Sequence, residues 1–139
     1  MTDKNSVLQF IKSQGLGVYS TASKSGKSQS AVMAIAVTDD FIIYFSTEAT
    51  TRKIKNLLEN PLSSLVIGGL SNDPYVQMDG NSVIVADLDV ESVKSTMMAV
   101  CPELKEHLSP TLKFIKFVPT WLRFSDYLKN PRETWETNL

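Results

Sequence analysis

Two connections too short to cross a sheet constrain this chain most. Ser23-Lys24-Ser25-Gly26-Lys27 separates the apolar stretch 16–22 from the stretch 28–37, and Asp39-Asp40 separates that from 41–45. A parallel strand pair needs a crossover of about a dozen residues or more. These three stretches are therefore expected to run antiparallel, as a meander. Gly26 supplies the positive φ that a hairpin turn of this kind demands.

The remaining segments extend the pattern. Asp3 is placed to cap a first helix with an apolar stripe of Val7, Leu8, Phe10 and Ile11, ended by Gly15 and Gly17. A second helix is expected over 51–59, with Ile54, Leu57 and Leu58 on one face and Asn60-Pro61 as its stop. Strands follow at 63–70 and 75–86. The first is ended by Gly68-Gly69 and the turn 71–74; the second is interrupted at Asp79-Gly80, where a glycine marks a bulge or bend. Val90, Val93, Met97 and Val100 mark a third helix, and Pro102 opens a short fourth one to about residue 108. The last strand, 112–118 and 121–124, is expected to break at Pro119. Six strands in antiparallel runs with three or four helices read as an α+β domain on a small barrel, not a doubly wound parallel sheet. The expected domain spans 1–128, followed by a polar tail, 129–139, ordered only where something holds it.

Composition narrows the partners. The chain has 139 residues, 42% hydrophobic and 21% charged, with a formal net charge of −1. That balance gives no global attraction to nucleic acid or to an anionic membrane, so any anion site must be local. No apolar run is long enough to span a membrane. The single cysteine, Cys101, cannot form an internal disulfide, and the N-terminus lacks a signal-peptide core. The expected compartment is the cytoplasm. One histidine, His107, and one distant cysteine make no metal site, and no residue stands out as a catalytic acid, base or nucleophile.

The chemistry concentrates at 41–58. An apolar strand runs through Ser46 and Thr47 into a turn, and the turn opens into a helix whose first residues include Thr51, Arg52 and Lys53. Helix N-termini attract anions, phosphate above all. Arg52 can grip two phosphate oxygens and Lys53 adds a point charge. The competing reading is ordinary capping by Thr47 or Thr50, with both cations solvated. Cations at this end oppose the helix dipole, so a purely structural helix would place Asp or Glu there.

Taken in order, Tyr44-Phe45-Ser46-Thr47, Thr51-Arg52-Lys53, Asn56-Leu57 and Glu59-Asn60-Pro61 resemble the signature of the pyridoxamine 5′-phosphate oxidase-like FMN-binding split barrels. The hairpin of 16–22 and 31–37 is similar to that family's first two strands, and 75–83 to its central strand. The resemblance covers roughly 5–127 and is nearest to short members of the general-stress-protein type. It implies a six-stranded antiparallel split β-barrel with three to four peripheral helices, a homodimer, and FMN in a groove between subunits. It also implies that Arg52 and Lys53 grip the phosphate, that Ser46, Thr47 and Thr51 supply hydroxyls, and that the backbone of Val32, Met33 and Ala34 runs along the flavin ring. The resemblance is to oxidoreductases with a small-molecule substrate it does not name. Ala31 and Ala36 stand where true oxidases carry basic residues, which argues against a vitamin B6 substrate. A non-enzymatic protein holding flavin, deazaflavin or haem in the same groove is the alternative.

Overall fold

A computed structural model describes residues 2–70 and 73–139. The part of the expected turn 71–74 that falls on Ser71 and Asn72 lies outside the described residues. The chain runs α1 (Lys4–Ser13), β1 (Leu16–Ala22), β2 (Ser28–Ala34), β3 (Ala36–Val37), β4 (Ile43–Glu48), α2 (Arg52–Glu59), β5 (Leu62–Gly68) and β6 (Tyr75–Ile84). A 3₁₀ turn (Asp87–Asp89), α3 (Val90–Val100), a 3₁₀ segment (Pro102–His107), β7 (Leu112–Asp126) and β8 (Glu133–Asn138) complete it.

The strands hydrogen-bond in the order β2-β1-β5-β6-β7-β4-β3, every neighbouring pair antiparallel. The two edges of this path, β2 and β3, are one stretch of chain parted only by Ile35. The sheet is therefore curled back on itself, and the expected return strand 28–37 bridges both edges. Ile35 is the join: its N–H bonds the Gly15 carbonyl at 3.1 Å, in register with the β1–β2 ladder, and the next residue, Ala36, pairs with β4. Counting β2 and β3 as one strand gives six strands on this path, the number expected of the split barrel, and β8, paired to β7 off the path, is a seventh.

The meander expected from the short turns holds in part. β1 and β2 form the hairpin, with Gly26 at φ 89°. The third strand starts later than expected, at Ile43. Phe41 sits at φ 67° and its N–H bonds the Thr38 carbonyl, so it belongs to the turn. A left-handed conformation costs a bulky residue on the order of 1 kcal/mol. The ring, 1% exposed, recovers this by burial in the core. β4 then pairs mainly with β7, which lies far along the sequence.

The bulge expected at Asp79-Gly80 is present. A Cβ on Gly80 would lie 2.4 Å from the Val118 carbonyl oxygen, so only glycine fits. The expected break at Pro119 does not occur: β7 runs unbroken, because Pro119 lies opposite Gly80 at the bulge, where the ladder is already irregular. β7 is long enough to serve two partners on one side. Its first half pairs with β4 and its second half with β8. The tail is held this way, with Trp135 paired opposite Phe124 and packed on the chain's own core. The Glu133 carboxyl is pulled down to about 2 by Lys129 Nζ at 2.6 Å and by the Thr2 hydroxyl.

The main core lies inside the barrel. α1 contributes Val7, Leu8 and Ile11 to it, and α2 contributes Ile54 and Leu57. Tyr19 is fully buried there, 4.4 Å from the Phe45 ring. Its hydroxyl donates to Ser82 Oγ at 2.6 Å, and Ser82 and Ser63 share a further bond of 2.6 Å. A second cluster forms where α3 and the 3₁₀ segment cover the outer face of β3, β4 and β7, joining Ala36, Val93, Met97, Leu104 and Phe114. The expected fourth helix is this 3₁₀ segment.

Candidate functional site

Strand alternation decides which of the candidate residues share a face. Along β4, Phe45 and Thr47 are buried toward the core side, while Tyr44 and Ser46 turn to the other face. Ser46 lies opposite Phe114, a member of the α3 cluster. Thr47 instead reaches across the turn, its hydroxyl 3.2 Å from that of Thr51. Thr47 and Thr51 are thus brought together, and Ser46 is not brought to them.

The turn carrying Thr51 is pinned from outside. Glu48 accepts hydrogen bonds from Ser109 at 2.8 Å and Thr111 at 2.6 Å, which hold its carboxyl below the usual range. The Ala49 N–H bonds the Thr111 carbonyl at 3.0 Å. These contacts fix the approach of the chain to α2. Nothing in the sequence near 48 announced a partner at 109–111; the pairing of β4 with β7 creates it.

At the helix start, Thr51 occupies the capping position with extended backbone, yet its side chain caps nothing in α2. Its hydroxyl donates to the Glu48 carbonyl at 3.0 Å. The alternative reading expected the cap from Thr47 or Thr50; the capping position is instead held by Thr51, and the Thr47 hydroxyl bonds that of Thr51. No acidic residue lies in the first turn of α2. Among the described residues, neither Arg52 nor Lys53 forms an ion pair. Arg52 is exposed, whereas Lys53 is only 9% exposed. Burial, and secondarily the neighbouring Arg52, push the Lys53 ammonium below its ordinary pKa. Both causes disfavour charge, and a bound anion would reverse the second. Two cations, two hydroxyls and an uncapped helix end suit a phosphate dianion.

The remaining candidates lie on β2. Val32 and Ala34 point outward and Met33 inward, where it is buried in the core. Val18 pairs with Val32 on one side and Val66 on the other. With Leu16, they form an exposed apolar strip outside the barrel, Val32 alone being 67% exposed. Nothing in the reading of single strands revealed it; the strip exists only once β2, β1 and β5 are placed side by side.

His107 is exposed in the 3₁₀ segment. Burial raises the Cys101 thiol above its ordinary pKa, followed by the effect of Glu103, so it is no activated nucleophile. Among the described residues, no group of three or more His, Cys, Asp or Glu could hold a metal ion. No helix among them is long and apolar enough to cross a membrane.

Comparison with solved structures identifies the same fold. General stress protein 26 of Bacillus anthracis superposes with a TM-score of 0.76 at 23% identity, covering 98% of each chain. A pyridoxamine 5′-phosphate oxidase-related, FMN-binding protein of Nostoc punctiforme gives 0.76 at 10% identity, over 99% of this chain and 91% of its own. The heme storage protein of Vibrio cholerae gives 0.70 at 12% identity, over 86% and 91%. Comparison with curated proteins gives no match. The family model for pyridoxamine 5′-phosphate oxidase matches residues 4–126, from the start of α1 to the end of β7, and the chain belongs to that family.

Proposed function

We propose that this protein is an FMN-binding flavoprotein, a homodimer with oxidoreductase activity on a small molecule other than a B6 phosphate. The observation that carries the reading is the start of α2: a helix terminus with no side-chain cap, carrying Arg52 and Lys53, both without a carboxylate partner among the described residues. Thr47 and Thr51, already within hydrogen-bonding reach of each other, supply hydroxyls to the same anion. The FMN-binding relative from Nostoc punctiforme supports flavin as the phosphorylated ligand.

In this reading the flavin supplies the electron-transfer chemistry when bound. The chain's own residues anchor and shape. Arg52 and Lys53 neutralise the phosphate, and the fixed turn at 48–51 holds them in place. Ser46 is proposed as a contact too, reached from the other face of β4. The backbone of Val32, Met33 and Ala34 lies along the ring. The apolar strip of Leu16, Val18, Val32 and Val66 receives the second subunit, and the groove completes itself there. Ala36 is 1% exposed within the α3 cluster, where a basic side chain would be desolvated, in keeping with a substrate other than a B6 phosphate.

The purified protein, reconstituted with FMN and freed of excess, is expected to show absorbance bands near about 375 and 450 nm. A colourless protein overturns the reading. The haem-binding relatives define the second reading. It predicts a Soret band and no flavin bands, and the only histidine it could use as an axial ligand is the exposed His107. Reduction of bound flavin by NAD(P)H, followed by reoxidation by an added acceptor, supports an enzyme. A bound flavin inert to both supports a carrier or sensor.

A further inference from the structure

The sheet face under α3 is only partly closed. Ala36, Tyr44, Lys116 and Val83 lie in one row across β3, β4, β7 and β6. Cover falls away along that row. Ala36 is 1% exposed within the α3 cluster, Tyr44 and Lys116 are half-buried, and Val83 is 54% exposed. There the sheet and the start of α3 enclose a crevice of about 450 Å³. Small-molecule sites run from about 300 to 1,000 Å³. Val85 and Val93, both buried, give it an apolar lining.

Opposite charges line this crevice from its two walls. The sheet supplies the Lys116 ammonium and the Tyr44 hydroxyl; the chain entering α3 supplies Asp89 and Ser92. Lys116 and Asp89 form no ion pair with each other, and neither forms one with any other described residue. Asp89 holds the capping position of α3, yet its side chain caps nothing. Asp87 and Glu91 flank it in sequence, and of these Glu91 is neutralised by Lys94 at 3.1 Å. A half-buried ammonium without a partner is costly, and so is a cap position that leaves its carboxylate idle. The register of β4 on β7 puts Lys116 beside Tyr44, and the turn into α3 brings Asp89 over them.

We propose that this crevice binds a free amino acid with an apolar side chain, its carboxylate held by Lys116 and Tyr44 and its ammonium by Asp89 and Ser92. The charge balance selects the class. One cation with a carboxylate across from it does not suit a phosphate dianion, which Asp89 would repel. A single carboxylate in the wall is too few for a metal ion. A neutral apolar molecule would desolvate both charges and pair neither. A zwitterion pairs both, and the valines take its side chain. The proposal goes beyond the flavin reading and does not depend on it, since none of these residues belongs to the start of α2.

The test uses three probes of one carbon skeleton on the full chain, with affinities read by titration calorimetry. They are leucine, isocaproate (no amine) and isoamylamine (no carboxylate). Leucine is expected to bind at least about tenfold tighter than either analogue. Lys116→Met, which keeps the stem, is expected to weaken leucine about tenfold and abolish its advantage over isoamylamine. Asp89→Asn is expected to weaken leucine about tenfold and abolish its advantage over isocaproate. Tyr44→Phe, the loss of one hydroxyl, is expected to weaken leucine about threefold. A wild type that binds no leucine, or binds it no tighter than the two analogues, overturns the proposal. So do wild-type leucine affinities in all three variants. Equal losses for all three probes in both charge variants would mean a disturbed crevice instead of lost contacts, and would overturn the assignment of the charges. FMN affinity is measured on the same preparations, so the amino-acid site and the flavin reading fail separately.

Discussion

The N-termini of α1 and α2 solve the same problem in opposite ways. At α1, Asp3 accepts the Ser6 N–H at 2.8 Å, and Ser6 Oγ accepts the Asp3 N–H at 2.9 Å, a reciprocal capping box. At α2, Thr51 turns its hydroxyl back to Glu48, and two cations follow where the helix dipole disfavours them. One terminus is internally satisfied. The other leaves backbone donors and positive charge facing outward. The difference teaches that α2 is held in place by its surroundings: Ile54 and Leu57 in the core, the Asn56–Thr21 bond, and the pinned turn before it. Its first turn is thereby released from stabilising the helix.

The largest expected effect tests the outward-facing terminus. Arg52→Ala with Lys53→Ala removes two charge-assisted contacts, together worth about 3 kcal/mol or more of ligand affinity. FMN affinity measured by fluorescence quenching should fall at least about 100-fold. The melting temperature of the apoprotein should fall only slightly, because relief of positive charge at the helix end offsets the loss of the buried Lys53 stem. A large drop in apoprotein stability would erase the contrast, because it would make the cations structural. The matching change at the other helix is Asp3→Ala. It should cost about 1 kcal/mol in denaturant unfolding and leave FMN affinity unchanged.

Both termini were partly legible in the sequence, for different reasons. Asp3 before an apolar stripe is a local signal, and the cap forms as expected. Arg52 and Lys53 at a helix start are local too. Ser46 and Thr47 look equivalent in sequence, yet the strand period places them on opposite faces, and only Thr47 meets Thr51. The barrel was legible as short turns and a glycine bulge. Its closure through Ile35, the late start of β4 after Phe41, the pairing of β4 with β7, and the capture of the tail by β7 were not. Those depend on contacts between residues far apart in sequence, and strand periodicity carries no information about which strand lies next to which. The crevice at Lys116 and the apolar strip at Val18 are hidden for the same reason.

Making α2 resemble α1 sharpens the comparison. Thr51→Asp places a capping carboxylate where Thr51 does not cap, and adds negative charge at the positive end of the helix dipole. The apoprotein should gain up to about 1 kcal/mol in denaturant unfolding. FMN binding should weaken, because the carboxylate occupies the place of the phosphate and repels it. A gain in stability with unchanged affinity would move the anion site off the helix terminus.

The smallest effect isolates Lys53. Its folded-state pKa lies below its ordinary value of 10.5, from burial first and Arg52 second. Between that lowered value and 10.5 the unfolded chain binds more protons than the folded one, so this group makes apoprotein stability rise with pH across that window. Below the window its cation is a constant penalty on the fold. Lys53→Met keeps the buried stem and removes the charge. It should stabilise the apoprotein by about 0.5 kcal/mol at neutral pH, from relief at the helix end, and flatten the rise in stability on the alkaline side. Saturating FMN should reverse the order of the two proteins, because the wild-type ammonium then has a phosphate beside it and the variant has none. If Lys53→Met were less stable than wild type without ligand, the buried ammonium would be paired within the fold, and the contrast between the two helix termini would fail at its most buried residue.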